Sequence, residues 1–432
     1  MINVLQNFLT MKDVSTTEFE ATIKENEIVA VDFYSTECAP CEALAPKFDS
    51  LAELYGESVA FVKVYRQNNR ELAQKLGVSS SPTIIFFKGG KQIGSTLAGG
   101  IKRSDVVKNL NSLLSPDKVK AIQEKIKPVS TDCDVLIIGG GPGGLAAGIY
   151  LAQAKLNTIL VDIALPGGQV STTHKVSNYP GFPEPINGYM LSHYMSEQAK
   201  KAGVTMRNAV DITNVDLVNK TLLVDGYETI NAKKIIISTG ASPRPLGIPG
   251  EKEYKGKGIS YCATCDAKYM ENKEVIIIGG GNSAVEESEF ISKFASKITI
   301  IHQFDKLTAN KEAQEKCFAN PKISIRFEHE PREILRNGDK MVVKTQNLKT
   351  KEIVELESDG LFVFIGMKPN LDVFEQELQK DSWGYIKTDD EMRTSIAGVY
   401  AVGDVISKKY RQITTAVADG TIASIACAKE FN

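Results

Sequence analysis

The stretch DVLIIGGGPGGLAA, residues 134–147, runs an apolar, β-branched strand into a glycine loop and out into an alanine-rich helix. Gly139, Gly141 and Gly144 satisfy G-x-G-x-x-G. The first permits a tight turn, the second lets backbone amides approach a pyrophosphate, and the third lets helix and strand pack closely. Asp162 ends the following strand, TILVD, 18 residues after Gly144, where a carboxylate can bond ribose hydroxyls. With strand, helix and acid all in place, a glycine turn without ligand is the weaker reading. The signature returns about 140 residues later in EVIIIGGGNSAVEESEFISKF, with Gly279, Gly281 and Ala284 in the three places. Two Rossmann-like nucleotide-binding units are therefore expected. The second departs from pattern at its next strand, KITIIHQFD. An acid there would favour NAD and an arginine cluster NADP, but the chain offers His302, Gln303 and Phe304, and only Lys306 and Lys311 could meet a phosphate.

The totals suit such a protein. Residues number 432, room for about three domains. Lys+Arg 51 against Asp+Glu 53 leaves a net charge of −2, which argues against nucleic acid or a membrane surface as main partner. No apolar run reaches the roughly 18 residues needed to cross a bilayer. MINVLQNFLTMKDV lacks a basic segment followed by a cleavable apolar stretch, so no signal peptide is read and cytoplasmic residence is expected. MKDVSTTEF reads as the beginning of a folded unit, which makes Met11 a candidate start.

Ahead of the first glycine loop, the strands EIVAVDFY, VAFVKVY and TIIFFKGG alternate with helices following ECAPC, at RELAQKLGV and at IKRSDVVKNLNSLL. This predicts a small α/β domain, 1–115, closing in a hairpin-like pair around KGGKQ. Residues 116–130, polar and holding Pro116 and Pro128 around a short amphipathic piece, are expected to be a linker.

Four of the seven cysteines form two C-x-x-C pairs, Cys38/Cys41 and Cys262/Cys265. They lie over 200 residues apart with no histidine cluster near either, so redox dithiols fit better than a zinc site. Cys38 and Cys41 open a helix, whose terminal amides and dipole stabilise a thiolate. Asp32 stands six residues before Cys38 in the apolar run VAVDFY. It is either a buried proton acceptor for the dithiol or a solvated residue at a strand end. Cys133, Cys317 and Cys427 read as small buried hydrophobes, and Trp383 as structural.

VDFY, CAPC and the SSSPT stretch with Pro82 resemble thioredoxin over about residues 11 to 115, with Pro82 as the family's cis-proline facing the cysteines. Glu37 and Ala39 depart from the family's usual Trp and Gly. From residue 131 onward the chain resembles low-molecular-weight thioredoxin reductase. The resemblance rests on GGGPGG (139–144), PGGQ (166–169), STGA (238–241), CATCD (262–266), GGGNSAVE (279–286), AVGD (401–404) and YRQ (410–412). It implies an FAD-binding domain in two parts, 131–247 and 367–432, with an NAD(P)H-binding domain, 248–366, inserted between them. FAD would be lined by Gln169, Asn178, Thr239, Gly240, Asp404, Arg411 and Gln412. Cys265 would be the sulfur nearest the flavin and Cys262 the one that attacks the acceptor. Asp266 would protonate the leaving thiolate, unless it merely caps a helix. The family's arginine-rich NADPH motif does not carry over at Gln303 and Phe304, which favours NADH.

The expected activity is that of a flavin-dependent thioredoxin-disulfide reductase. Electrons would pass from NAD(P)H through FAD and Cys262/Cys265 to Cys38/Cys41 of the attached domain, and from there to other protein disulfides or a peroxiredoxin. A homodimer is expected. The rivals are an NADH flavoprotein of alkyl hydroperoxide reductase type serving a peroxiredoxin, and a flavin-binding redox sensor with a non-nicotinamide donor.

Overall fold

The computed structural model describes residues 11–36, 38–173, 176–374 and 378–431. Glu37, which opens the ECAPC stretch, lies outside them. The chain begins with β1 (Lys12–Asp13), α1 (Thr16–Glu25), β2 (Ile28–Tyr34), α2 (Ala39–Tyr55), β3 (Ala60–Tyr65), α3 (Arg70–Lys75), β4 (Thr83–Lys88), β5 (Lys91–Ala98) and α4 (Arg103–Leu113). The five strands make one sheet in the order β1-β3-β2-β4-β5. Central β2, IVAVDFY, is buried from Ile28 to Phe33 because both faces are covered, which is why its sequence is continuously apolar rather than alternating. Ala30, Phe48, Phe86 and Leu110 pack on one side of the sheet, and Phe19, Val29, Phe33 and Phe87 on the other. Sequence periodicity passed over β1 and α1. Their burial rests on few side chains, Phe19 and Ile23 in the helix, and the helix start is set by the Ser15/Glu18 capping box. Within residues 116–130, α5 (Pro116–Glu124) buries Ile122 in the first of these clusters.

The next unit comprises β6 (Val129–Ile138), α6 (Pro142–Gln153), β7 (Thr158–Val161), α7 (Gly188–Ala202), β8 (Thr205–Arg207), β9 (Ile212–Asp216), β10 (Thr221–Val224) and β11 (Glu228–Ile237). Its strand order is β8-β7-β6-β11-β10-β9, with β6 parallel to both neighbours. The chain then leaves along β12 (Ala241–Pro243) for a second sheet. That unit contains α8 (Glu251–Tyr254), β13 (Ile259–Ser260), α9 (Ala263–Asp266), β14 (Glu274–Ile278), α10 (Asn282–Ile291), β15 (Lys297–Ile301), α11 (Lys311–Ala319) and β16 (Ile323–Arg326). An antiparallel trio, β17 (His329–Asn337), β18 (Lys340–Asn347) and β19 (Ile353–Ser358), precedes β20 (Gly360–Val363), which completes the order β13-β20-β14-β15-β16. The return strand β21 (Met367–Pro369) pairs antiparallel with β12, so two short strands join the units. Finally β22 (Val399–Ala401) adds to β11, and α12 (Ile413–Lys429) lies on α6. That contact is backbone-close: a Cβ on Gly420 would stand 2.2 Å from Gly143 O. The architecture is a thioredoxin fold followed by two Rossmann-like units, the second lying within the sequence of the first.

Candidate active site

Both C-x-x-C pairs are disulfides, with Cα atoms 5.2 Å apart at Cys38–Cys41 and 5.3 Å at Cys262–Cys265. Each begins a helix in the same way. Cys38 is the N-cap of α2 and accepts the Cys41 N–H at 3.3 Å, while Cys262 is the N-cap of α9 and accepts the Cys265 N–H at 3.2 Å. When the pair is reduced, that amide and the helix dipole stabilise a thiolate on the first sulfur. Cys41 is buried, Cys38 and Cys262 are half-buried, and Cys265 is exposed. The cis Ser81–Pro82 bond lies beside the first pair, with Cys38 Sγ 3.6 Å from Ser81 O.

Asp32 is not at a solvated strand end. It sits inside β2 between Lys63 of β3 and Ile84 of β4, is 2% exposed, and its Oδ1 has no hydrogen-bond partner among the described residues. Burial pushes its carboxyl up to about 7, opposed by the Lys63 ammonium and aided by Asp49 and Asp13. Together with Cys38, Cys41 and Lys63 it lines one groove. Asp266 ends the short α9, whose N-cap is Cys262, and stands at the N-cap of the 3₁₀ turn Ala267–Met270 without a side-chain capping bond; its N–H donates to Cys262 O at 3.3 Å. Glu251, 4% exposed, accepts the N–H groups of Leu246 and Gly247 and the Tyr261 hydroxyl, which pins the segment entering the second dithiol. Sequence reasoning passed over Glu251, whose partners come from a turn and a strand end rather than from a motif.

The glycines divide into two physical classes. At Gly139 (φ +107°) a Cβ would stand 2.2 Å from Ser238 O, and at Gly144 it would stand 2.1 Å from Gly139 O. Both are demanded by the packing of the unit itself. A Cβ on Gly141, the N-cap of α6, would meet nothing within 4 Å among the described residues, so the helix N-terminus is open there. In the second loop a Cβ on Gly279 would stand 2.2 Å from Phe364 O, Ala284 is fully buried, and a Cβ on Gly281 would meet only Thr308 Oγ1, at an ordinary contact distance of 3.7 Å. Asp162 lies just past β7 and spends both oxygens on backbone, accepting Gly140 N–H at 2.5 Å and Ala164 N–H at 2.8 Å. In the second unit His302 takes the corresponding position. Its ring would stand 2.5 Å from a Cβ on Gly280, it is 6% exposed, and its Nε2 has no hydrogen-bond partner among the described residues. Phe304 packs edge-on to it, centroids 5.3 Å apart, and remains half exposed.

The family model for pyridine nucleotide-disulphide oxidoreductases matches residues 133–420, and that for thioredoxin residues 10–112. The chain belongs to the pyridine nucleotide-disulphide oxidoreductases. It is 46% identical over 299 residues to thioredoxin reductase of Peptoclostridium acidaminophilum, a match covering 67% of this chain and 94% of that one. Thioredoxin reductase of Lactococcus lactis, in what is described as its FR conformation, aligns with TM-score 0.65 and 40% identity over 69% of this chain and 98% of that. The T. acidophilum thioredoxin reductase aligns with TM-score 0.64 and 32% identity over 69% of this chain and 99% of that. The oxidoreductase is thus a thioredoxin reductase-like flavin disulfide enzyme carrying a thioredoxin domain, and membership implies FAD and a pyridine nucleotide.

The first unit of the oxidoreductase fits FAD on its own observations. In the 3₁₀ turn Gly403–Val405, which packs against α6, Asp404 has a buried Oδ1 with no hydrogen-bond partner among the described residues, only the Lys408 ammonium at 3.9 Å, and burial raises its carboxyl despite Lys408 and Arg411. Asn178 Nδ2 donates to Gln412 Oε1 at 3.2 Å, so those two expected residues meet across the unit. Gln169 lies in the 3₁₀ turn Gly168–Thr172, and Gly240 takes φ +66° after β11. Thr239 donates its hydroxyl to Asn370 O at 2.7 Å and accepts the Asn370 side chain on its own carbonyl at 2.8 Å. Asn370, missed in the sequence, locks the crossing strands from the far side of the inserted unit. Arg411 is engaged by the protein itself: it donates to the carbonyls of Asp404, Lys408 and Ile406, and its guanidinium lies 3.8 Å from the Tyr385 ring centroid. It therefore shapes the loop that presents Asp404.

Proposed function

We propose that the protein reduces the disulfide of its own thioredoxin domain, and through it other protein disulfides. The observation that carries the reading is the pairing, in one chain, of two helix-capping disulfides on separate units with the buried, unpartnered Asp32. The domain limits proposed are 1–115, 116–130, 131–247, 248–366 and 367–432. Gly139, Gly141, Gly144, Asp162, Gln169, Asn178, Thr239, Gly240, Asp404, Arg411 and Gln412 would hold FAD. When bound, FAD would supply two-electron transfer from a reduced nicotinamide to the Cys262–Cys265 disulfide.

The chain's own chemistry is dithiol exchange. The Cys262 thiolate, favoured by its capping amide, attacks Cys38 Sγ. A Cys262–Cys38 bond forms, the Cys38–Cys41 bond breaks, and the Cys41 thiolate leaves. Asp32, protonated up to about pH 7, provides the proton for Cys41. Cys265 then attacks Cys262 and releases Cys38 as a thiolate, so one dithiol is oxidised as the other is reduced, with Asp266 as the nearby acid on the reductase side. For the donor, His302 and Phe304 replace both the strand-end acid and the phosphate-binding arginines, which favours NADH over NADPH.

The test is to follow the flavin absorbance of purified protein on adding NADH or NADPH. Faster bleaching by NADH is expected; bleaching by neither means that the donor is not a nicotinamide. Cys38→Ser should abolish reduction of protein disulfides while leaving flavin reduction unchanged, and undiminished disulfide turnover in that variant would sink the relay.

A further inference from the structure

The loop that follows β5 borders the first dithiol: Gly99 N–H donates to Pro82 O at 3.2 Å. In the structure this loop faces the unit expected to hold FAD. A Cβ on Gly100 would stand 3.6 Å from Leu165 Cγ and 4.0 Å from Ala209 Cβ. Around it, three cations of the thioredoxin domain meet oxygens and a ring of the neighbouring unit. Lys47 of α2 donates to Asn208 O at 2.7 Å, Ala209 O at 2.6 Å and Ile101 O at 3.4 Å, which uses the full donor capacity of an ammonium. Lys102 pairs with Asp211 at 3.0 Å. Arg103, only 9% exposed, holds its guanidinium 4.9 Å from the Tyr227 ring centroid. On the other side of the dithiol helix, Glu42 pairs with Lys200 of α7 at 2.9 Å.

Surface lysines seldom direct two of their three donors at backbone carbonyls of another domain, because the ammonium must give up water to do so. Here the acceptors are fixed by tertiary structure. Ala209 is 1% exposed with φ +52°, and Asp211 N–H is held by Asp225 Oδ1 at 2.8 Å. The carboxylates of Asp211 and Asp225 supply a negative field at the same place. We propose that this contact is a docking latch. Through Lys47, Lys102 and Arg103 the thioredoxin domain rests on residues 208–227 of its own chain, with Ile101 buried, Gly99 half-buried and Gly100 still exposed at the edge of the contact, and an acceptor protein that needs this edge of the domain must displace it.

The latch is tested on the full-length protein by hydrogen exchange of residues 99–104 and 207–211 together with small-angle scattering. Lys47→Met and Lys102→Glu are each expected to lower protection in both segments about tenfold or more, the equivalent of one charged hydrogen bond lost. The radius of gyration should rise, and the charge swap Lys102→Glu with Asp211→Lys should restore protection. Retained flavin absorbance reports an intact fold. Unchanged protection and scattering in both Lys47→Met and Lys102→Glu would overturn the proposal. Neither readout requires turnover, so failure of the electron route and failure of the latch are separate results.

Discussion

Asp32 shows how one residue couples stability to chemistry. Its carboxyl is raised from 3.8 to about 7 in the folded domain, so between those values the native state holds a proton that the unfolded chain has lost. Stability therefore falls as pH rises from about 4 to about 7, and above that the full penalty of a buried carboxylate is present. Asp32→Asn should stabilise the thioredoxin domain at pH 8 by about 2–4 kcal/mol, with the gain vanishing toward pH 4. Exchange of the β2 and β4 amides in the full chain measures this. The same variant should slow disulfide turnover by about tenfold or more, since it removes the proton donor. The sequence made Asp32 suspicious by placing an acid in an apolar run, but left burial open; only the flanking β3 and β4 close the site to water. Arg411 carries a second lesson. The motif suggests a cofactor contact, and in the fold three loop carbonyls and the Tyr385 face also hold its guanidinium.

Among elements, the glycine loops were the most legible, because strand, turn and helix follow each other within one local stretch. Their division of labour was not, since it depends on what each Cβ would meet. Gly144→Ala should prevent assembly of the unit, as the methyl would stand 2.1 Å from Gly139 O. Gly141→Ala has room in the protein and should fold, yet bind flavin about tenfold or more weakly by blocking close approach of the pyrophosphate. Flavin content after gel filtration distinguishes the two. At the end of β15, replacing Gln303 and Phe304 together with arginine should shift the NADPH to NADH preference toward NADPH by about tenfold or more, read as kcat/KM for each donor. The helix N-terminus at Cys38 was also legible, from a strand followed by C-x-x-C and a helical run, whereas the one at Cys262 came with the structure. The hydrogen bond from the second cysteine's amide to the first sulfur needed the folded turn.

At the scale of the whole molecule, the tether changes the order of the reaction. A covalently attached acceptor domain meets its reductase at an effective concentration on the order of mM. Proteolytic cleavage within residues 116–128 should make internal disulfide reduction dependent on protein concentration and slow it at micromolar levels; stopped-flow at two dilutions reads this directly. By itself the sequence determined the succession of a thioredoxin-like unit and two glycine-loop units, along with both dithiols. These are written in local patterns of strand, turn and helix N-terminus, where the residues that matter are near neighbours in the chain. Tertiary structure decided what distant residues do to one another. It buried Asp32, turned Arg411 inward, set His302 against Gly280, joined Thr239 to Asn370, and brought Lys47 onto the carbonyls of Asn208 and Ala209. Desolvation, close packing and hydrogen-bond pairing depend on distance in space, and a sequence displays only distance along the chain.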